Sequence, residues 1–189
     1  MREDTVRKIR RLLPVAAICC TGLALTGCFS DEETTETKYA EWRERNIQYV
    51  AEAMEKKNED GTPYYEKIVP DWAPAAYVLI HWHNDRTLTE KNLSPMDNST
   101  VKMTYELFDI DGNKISDSFS NTDSVYTSRP LQNIVGMWAA MTTMHVGDTA
   151  TLVMPSQAAY GEMSNGAVLP YSTLVYNVKM KAITAYEIP

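Results

Sequence analysis

Beyond residue 28 the sequence contains no cysteine: its three cysteines are Cys19, Cys20 and Cys28. That removes a disulfide framework and a thiol nucleophile from the rest of the chain. Histidine is almost as scarce, with three copies. His81 and His83 share one face of an alternating stretch and could pair on a metal. With no third ligand near them, they read as an exposed strand face, and no metal or other cofactor is expected. There is no internal repeat. The longest apolar run, residues 12–25, is too short to span a bilayer comfortably. Positive charge is also short, with 18 Lys and Arg against 25 Asp and Glu. Such a balance argues against nucleic acid as a partner.

What is present at the start is an export pattern. Arg2, Arg7, Lys8, Arg10 and Arg11 precede the apolar run, which ends in Leu25-Thr26-Gly27-Cys28. This resembles a bacterial lipobox, so residues 1–27 are expected to be a lipoprotein signal peptide and Cys28 the lipidated residue. Two or more acyl chains would anchor the protein stably to a membrane. The removed segment holds five of the basic and two of the acidic residues, which leaves a net charge of −10. Residues 28–37 are polar and acidic and read as a flexible tether. The Asp31-Glu32-Glu33 run also resembles the acidic signal that sends some lipoproteins to the outer cell surface. The expected location is the cell envelope, at the outer membrane, facing the periplasm or the surface.

Residues 38–57 read as a helix. Tyr39, Trp42, Ile47, Val50 and Met54 form one apolar stripe among Glu41, Arg43, Glu44, Arg45, Glu52 and Lys56. Gly61 and Pro63 stop it. The stripe either packs on the chain's own sheet or pairs with a second copy as a homodimer. A connector rich in proline follows to residue 71, and the main domain is placed at 72–189. Residues 76–83 and 100–108 alternate as strands. Asp111-Gly112 between apolar segments signals a hairpin. Asp109, Asp111, Asn113 and Asp117 could instead be a calcium loop, but their spacing departs from that pattern. Residues 115–131 are rich in Ser, Thr and Asp and read as a variable flap.

The most informative stretch is residues 136–180. An apolar helix runs from Gly136 to Met144. A turn at Val146-Gly147-Asp148 leads to an apolar strand at 150–155. A loop from Ala159-Tyr160-Gly161 to Leu169-Pro170 precedes a long alternating strand from residue 172. Gly147 tolerates the positive φ of a sharp reversal. Pro170 pushes Leu169 towards extended backbone.

This order resembles the FKBP-type peptidyl-prolyl cis-trans isomerases. Gly136, Met144, Gly147, Tyr160, Gly161, Pro170, Thr173, Leu174 and Tyr176 fall on the family's pattern without a gap. The resemblance implies an α+β fold: a curved antiparallel sheet wrapped around a short central helix, here with an extra N-terminal helix. It also implies a substrate, a proline-containing polypeptide segment. Rotating a prolyl amide crosses a barrier of about 20 kcal/mol and needs neither metal nor nucleophile. An apolar, water-poor cup favours the twisted amide, which is less polar than the planar one. By position, Tyr160 would donate its hydroxyl to the substrate carbonyl and Ile134 its backbone N–H. Met103, Ile115, Met137, Val168, Leu169 and Tyr176 would line the cup.

Several positions depart from the family pattern. Met103 stands where a tyrosine is usual, although Tyr105 faces the same side. Ile115-Ser116 replaces a Phe-Asp pair, with Asp117 one step late. Met137 replaces the floor tryptophan, with Trp138 one step late. Tyr126 is the candidate flap ring. Three functions follow: a working isomerase that helps envelope proteins fold, an FKBP-like peptide or partner binder with little catalysis, or a structural lipoprotein.

Overall fold

The computed structural model describes residues 34–120 and 122–186. The expected signal peptide, the acidic run at 31–33 and Cys28 lie outside the described residues. In chain order the elements are α1 (Thr35–Lys38), α2 (Ala40–Glu55), β1 (Glu66–Ile68), β2 (Val78–Trp82), β3 (Thr100–Phe108), β4 (Lys114–Asp117), β5 (Tyr126–Ser128), α3 (Val135–Thr143), β6 (Thr149–Met154) and β7 (Leu174–Ala185). The fold is α+β. Seven antiparallel strands form one open, curved sheet in the order β1-β2-β6-β7-β3-β4, with β5 also paired to β3.

Two apolar layers hold the sheet. On one face lies α3, whose Gly136, Met137, Ala139, Ala140 and Met141 are all buried. They meet Val78, Ile80, Val101, Met103, Leu152, Leu174 and Met180. A helix apolar on all sides belongs inside a core, and α3 sits there. On the opposite face Leu79 and Val153 pack with Val50 and Ala53 of α2. Of the α2 stripe, Val50 packs on the chain's own sheet with Ala53 beside it, while Ile47 and Met54 stay exposed. Burial on both faces explains why Val78, Leu79 and Ile80 are all buried in succession.

Three local details differ from the sequence reading. The proline-rich connector supplies a strand, since β1 pairs with β2 from Glu66 opposite Ile80 to Ile68 opposite Val78. Thr34 caps α1 by accepting from Thr37 N at 3.2 Å, so helical structure begins inside the stretch expected to be a tether. His81 is covered rather than exposed: Tyr64 stacks on its ring at 3.7 Å, and Tyr64 O lies 2.8 Å from Nδ1.

The hairpin between β3 and β4 uses Asp109 internally, while the Asp111 carboxylate accepts from Arg45 of α2. Asp109 Oδ1 accepts from Asp111 N at 2.9 Å and from Asn113 N at 2.8 Å, while Gly112 takes φ +81°. That is turn chemistry. Among the described residues no group of three or more His, Cys, Asp or Glu is placed to hold a metal. No helix among them is long and apolar enough to cross a membrane.

Candidate functional site

A cavity of about 280 Å3 opens between α3, the β5 flap and the sheet. Its lining is Tyr105, Tyr126, Gln132, Asn133, Ile134, Met137, Tyr160 and Tyr176. Four elements converge there. β3 presents Tyr105 and β5 presents Tyr126. β7 presents Tyr176, and α3 with the segment leading into it presents Gln132, Asn133, Ile134 and Met137.

The floor is apolar and fixed. Met137 is 4% exposed in the first turn of α3, and Tyr176 is 8% exposed on β7. Burial pushes the Tyr176 phenol far above its ordinary value of 10, so it stays neutral. Tyr105 meets Tyr176 edge to face at 5.8 Å and Tyr126 at 5.6 Å. These contacts set three rings at angles around one hollow, the arrangement aromatic quadrupoles prefer. Tyr105 Oη lies 3.2 Å from Ser116 Oγ, and the Tyr126 hydroxyl donates to Asn133 Oδ1 at 3.0 Å.

Tyr160 stands at the rim, half-buried. The short helical turn Ser156–Ala158 delivers it, and Gly161 (φ +62°) closes the bend by donating to Ser156 O at 2.8 Å. Burial raises the Tyr160 phenol above its ordinary value, while a hydrogen bond with the Asn165 side chain pulls it back. A phenol at the rim is a hydroxyl donor suited to a substrate carbonyl. Ile134 precedes the first turn of α3 (φ −59°, ψ 152°), and its carbonyl accepts from Trp138 N at 2.9 Å. Its N–H has no protein partner among the described residues. A free N–H at a helix N-terminus is suited to donate to a carbonyl oxygen.

The structure brings Ile134, Met137, Tyr160 and Tyr176 to this cavity and leaves four expected residues off its lining. Met103 is fully buried in the core, and its place at the cup is taken by Tyr105, two residues along the same face. Ile115 packs against the core from β4. Val168 is 4% exposed because a tight bridge, with Val168 N donating to Asn165 O at 2.9 Å, turns it inward. Leu169 then points the other way and is 43% exposed. Gln132 and Asn133 were not anticipated; their signal was position alone, immediately before Ile134. Trp138 faces outward, donating to Asp97 Oδ1 at 2.6 Å and stacking on Trp72 at 3.8 Å.

A short helix laid across a curved antiparallel sheet, with an aromatic cup at its N-terminus, defines the FKBP class of fold. The family model described as FKBP-type peptidyl-prolyl cis-trans isomerase matches residues 91–181. That stretch belongs to this family. A peptidyl-prolyl cis-trans isomerase from Pseudomonas syringae pv. tomato superposes with a TM-score of 0.61 at 20% identity, covering 77% of this chain and 95% of that one. FkpA from Escherichia coli superposes with a TM-score of 0.65 at 20% identity, over 81% of this chain and 64% of that one. No curated protein matches the sequence.

Proposed function

We propose that the protein catalyses cis-trans exchange of Xaa-Pro bonds in proline-containing segments of cell-envelope proteins. In this reading it is held at the outer membrane by lipid on Cys28. The observation that carries the catalytic part is the pairing of a free N–H and a rim hydroxyl with one ring-lined hollow. The Ile134 N–H and the Tyr160 hydroxyl border a cavity floored by Met137 and Tyr176. A proline ring seated on that floor leaves water, and the two donors hold carbonyls of the peptide at the rim. The bond then rotates where its less polar twisted form loses least by desolvation. The Leu25-Thr26-Gly27-Cys28 sequence supports the anchor.

The test is acceleration of Xaa-Pro exchange in a model peptide by the purified domain from residue 34. A rate equal to the uncatalysed one at high protein concentration overturns the catalytic reading. Substituting Cys28→Ser is expected to release the full-length protein from the membrane fraction; retention there overturns the anchor.

One observation favours a second reading, a peptide binder with weak catalysis. Tyrosines supply four of the eight lining residues. Their hydroxyls make the cup more polar than an aliphatic one, and polarity narrows the advantage of the twisted amide. Saturable binding of a proline peptide without a rate effect would select that reading.

A further inference from the structure

The N-terminal helix α2 has a buried polar residue where its apolar stripe predicts none. Asn46 is 2% exposed, and both polar atoms of its side chain are hydrogen-bonded. Its Nδ2 donates to Trp42 O at 2.7 Å, and its Oδ1 accepts from Thr173 N at 2.6 Å. A buried carboxamide is costly unless every group is paired. Apolar packing on Leu79 and Val153 would dock the helix without it. The asparagine therefore adds direction to the docking: it fixes α2 to one backbone atom of the segment before β7.

Its neighbours grip the same segment. Trp42 Nε1 donates to Ser172 Oγ at 3.1 Å, and the Arg43 guanidinium lies 5.1 Å from the centre of the Tyr171 ring. Three successive residues, 171 to 173, are thus held by one turn of α2. Tyr171 itself sits in the left-handed region at φ +62°, a conformation a bulky residue adopts only when its surroundings impose it. From there a single bond reaches the rim of the cup, because Tyr171 N donates to Gly161 O at 2.8 Å. Gly161 is the residue after Tyr160.

We infer that Asn46 is a positioning residue for Tyr160. Helix α2 acts as a strut that clamps residues 171–173, and Tyr171 passes that constraint through Gly161 to the rim. The inference rests on the proposed role of Tyr160 for its catalytic consequence, but the positional claim stands on geometry alone. The N-terminal helix, which lies before the stretch matched by the family model, thereby becomes part of the working site.

The experiment compares Asn46→Ala with Val50→Ala in the full-length protein. Val50 docks the same helix on the sheet without bonding the segment 171–173. Trp42→Phe, which deletes one donor and keeps a ring, serves as the milder variant if Asn46→Ala does not fold. Two readouts are taken. The first is the NMR ring signal of Tyr160, assigned by its loss in Tyr160→Phe, with Tyr65 as reference. The second is kcat/KM for Xaa-Pro exchange. Asn46→Ala is expected to shift the Tyr160 signal, leave that of Tyr65 in place and lower kcat/KM about tenfold, as a misplaced donor does. Val50→Ala is expected to lower Tm while leaving the Tyr160 signal and kcat/KM within about twofold. An unmoved Tyr160 signal in Asn46→Ala and Trp42→Phe overturns the inference. A wild-type protein without catalysis, but with the Tyr160 shift present in Asn46→Ala, overturns the proposed function and leaves the strut supported.

Discussion

The Tyr126 hydroxyl donates to Asn133 Oδ1 across 3.0 Å, tying the flap strand to the residue that precedes Ile134. Asn133 is held from its other side as well, since its Nδ2 donates to Arg129 O at 2.7 Å and to Ser128 Oγ at 3.1 Å. One side chain therefore sets the distance between the flap and the entry to α3, and with it the width of the cup. Tyr126→Phe removes the tie and keeps the ring. The expected result is a several-fold rise in KM with little change in kcat. Because the bond is only part-buried, stability should fall by no more than about 1 kcal/mol. Steady-state kinetics over a range of peptide concentrations, with a thermal melt alongside, checks both.

Tyr160→Phe should act differently. It removes a donor whose value lies in the rotating state, so kcat and kcat/KM should fall together, by about tenfold for one neutral hydrogen bond. The pH profile carries a further sign. Burial raises the Tyr160 phenol above 10, so the donor proton stays in place across the neutral and mildly alkaline range. The rate should stay flat up to about pH 10, the ordinary phenol value, and fall only above it. A fall centred near pH 7 would assign the donor elsewhere.

Gly136 tests the packing under the cup. A Cβ built there would lie 2.9 Å from Met154 Cγ and Sδ and 3.2 Å from Ala158 O. Met154 is fully buried, and the carbonyl belongs to the turn that delivers Tyr160, so neither side yields freely. Gly136→Ala should cost about 1–3 kcal/mol by overpacking, even though alanine favours a helix intrinsically. Denaturant unfolding measures it, and an unchanged or raised midpoint would show that α3 shifts at no cost.

How far the sequence reached can be read from particular residues. The stretch from Gly136 to Tyr176 was legible because its punctuation is backbone chemistry. Gly147 takes φ +102° and Gly161 φ +62° as a spacing of turns requires. The α+β sheet around a short helix followed from the family resemblance which that stretch carries. The cup was only half legible. Met103 and Tyr105 share a face of β3, and alternation cannot tell which of two residues on one face reaches the core and which the rim. In the structure Met103 ends in the core and Tyr105 at the cavity. Val168 and Leu169 traded sides through a local bridge that composition does not announce. Asn46 was invisible for a different reason. It lies beside the apolar stripe of α2 as an ordinary polar residue, and only its partner 127 residues later makes it a buried one.

Asp148 gives the fold an acid limit that can be signed in advance. Its carboxylate is fully buried at the turn into β6. Burial alone would raise its pKa. Hydrogen bonds from Thr89 Oγ1 at 2.5 Å, His145 N at 2.8 Å and Asn84 Nδ2 at 3.1 Å, with the Arg86 guanidinium at 3.4 Å, outweigh burial and hold it below its ordinary 3.8. A depressed folded-state pKa contributes stability that is fully present above the unfolded value. That contribution is lost as pH falls through the lower folded value, so unfolding free energy should drop below about pH 4. Asp148→Asn should remove this acid dependence and lower stability at neutral pH, because an amide NH2 would face donors where an oxygen accepted. Urea unfolding of both proteins from pH 7 down to pH 3 separates the two effects. Parallel curves across that range would mean the acid limit lies in another carboxylate.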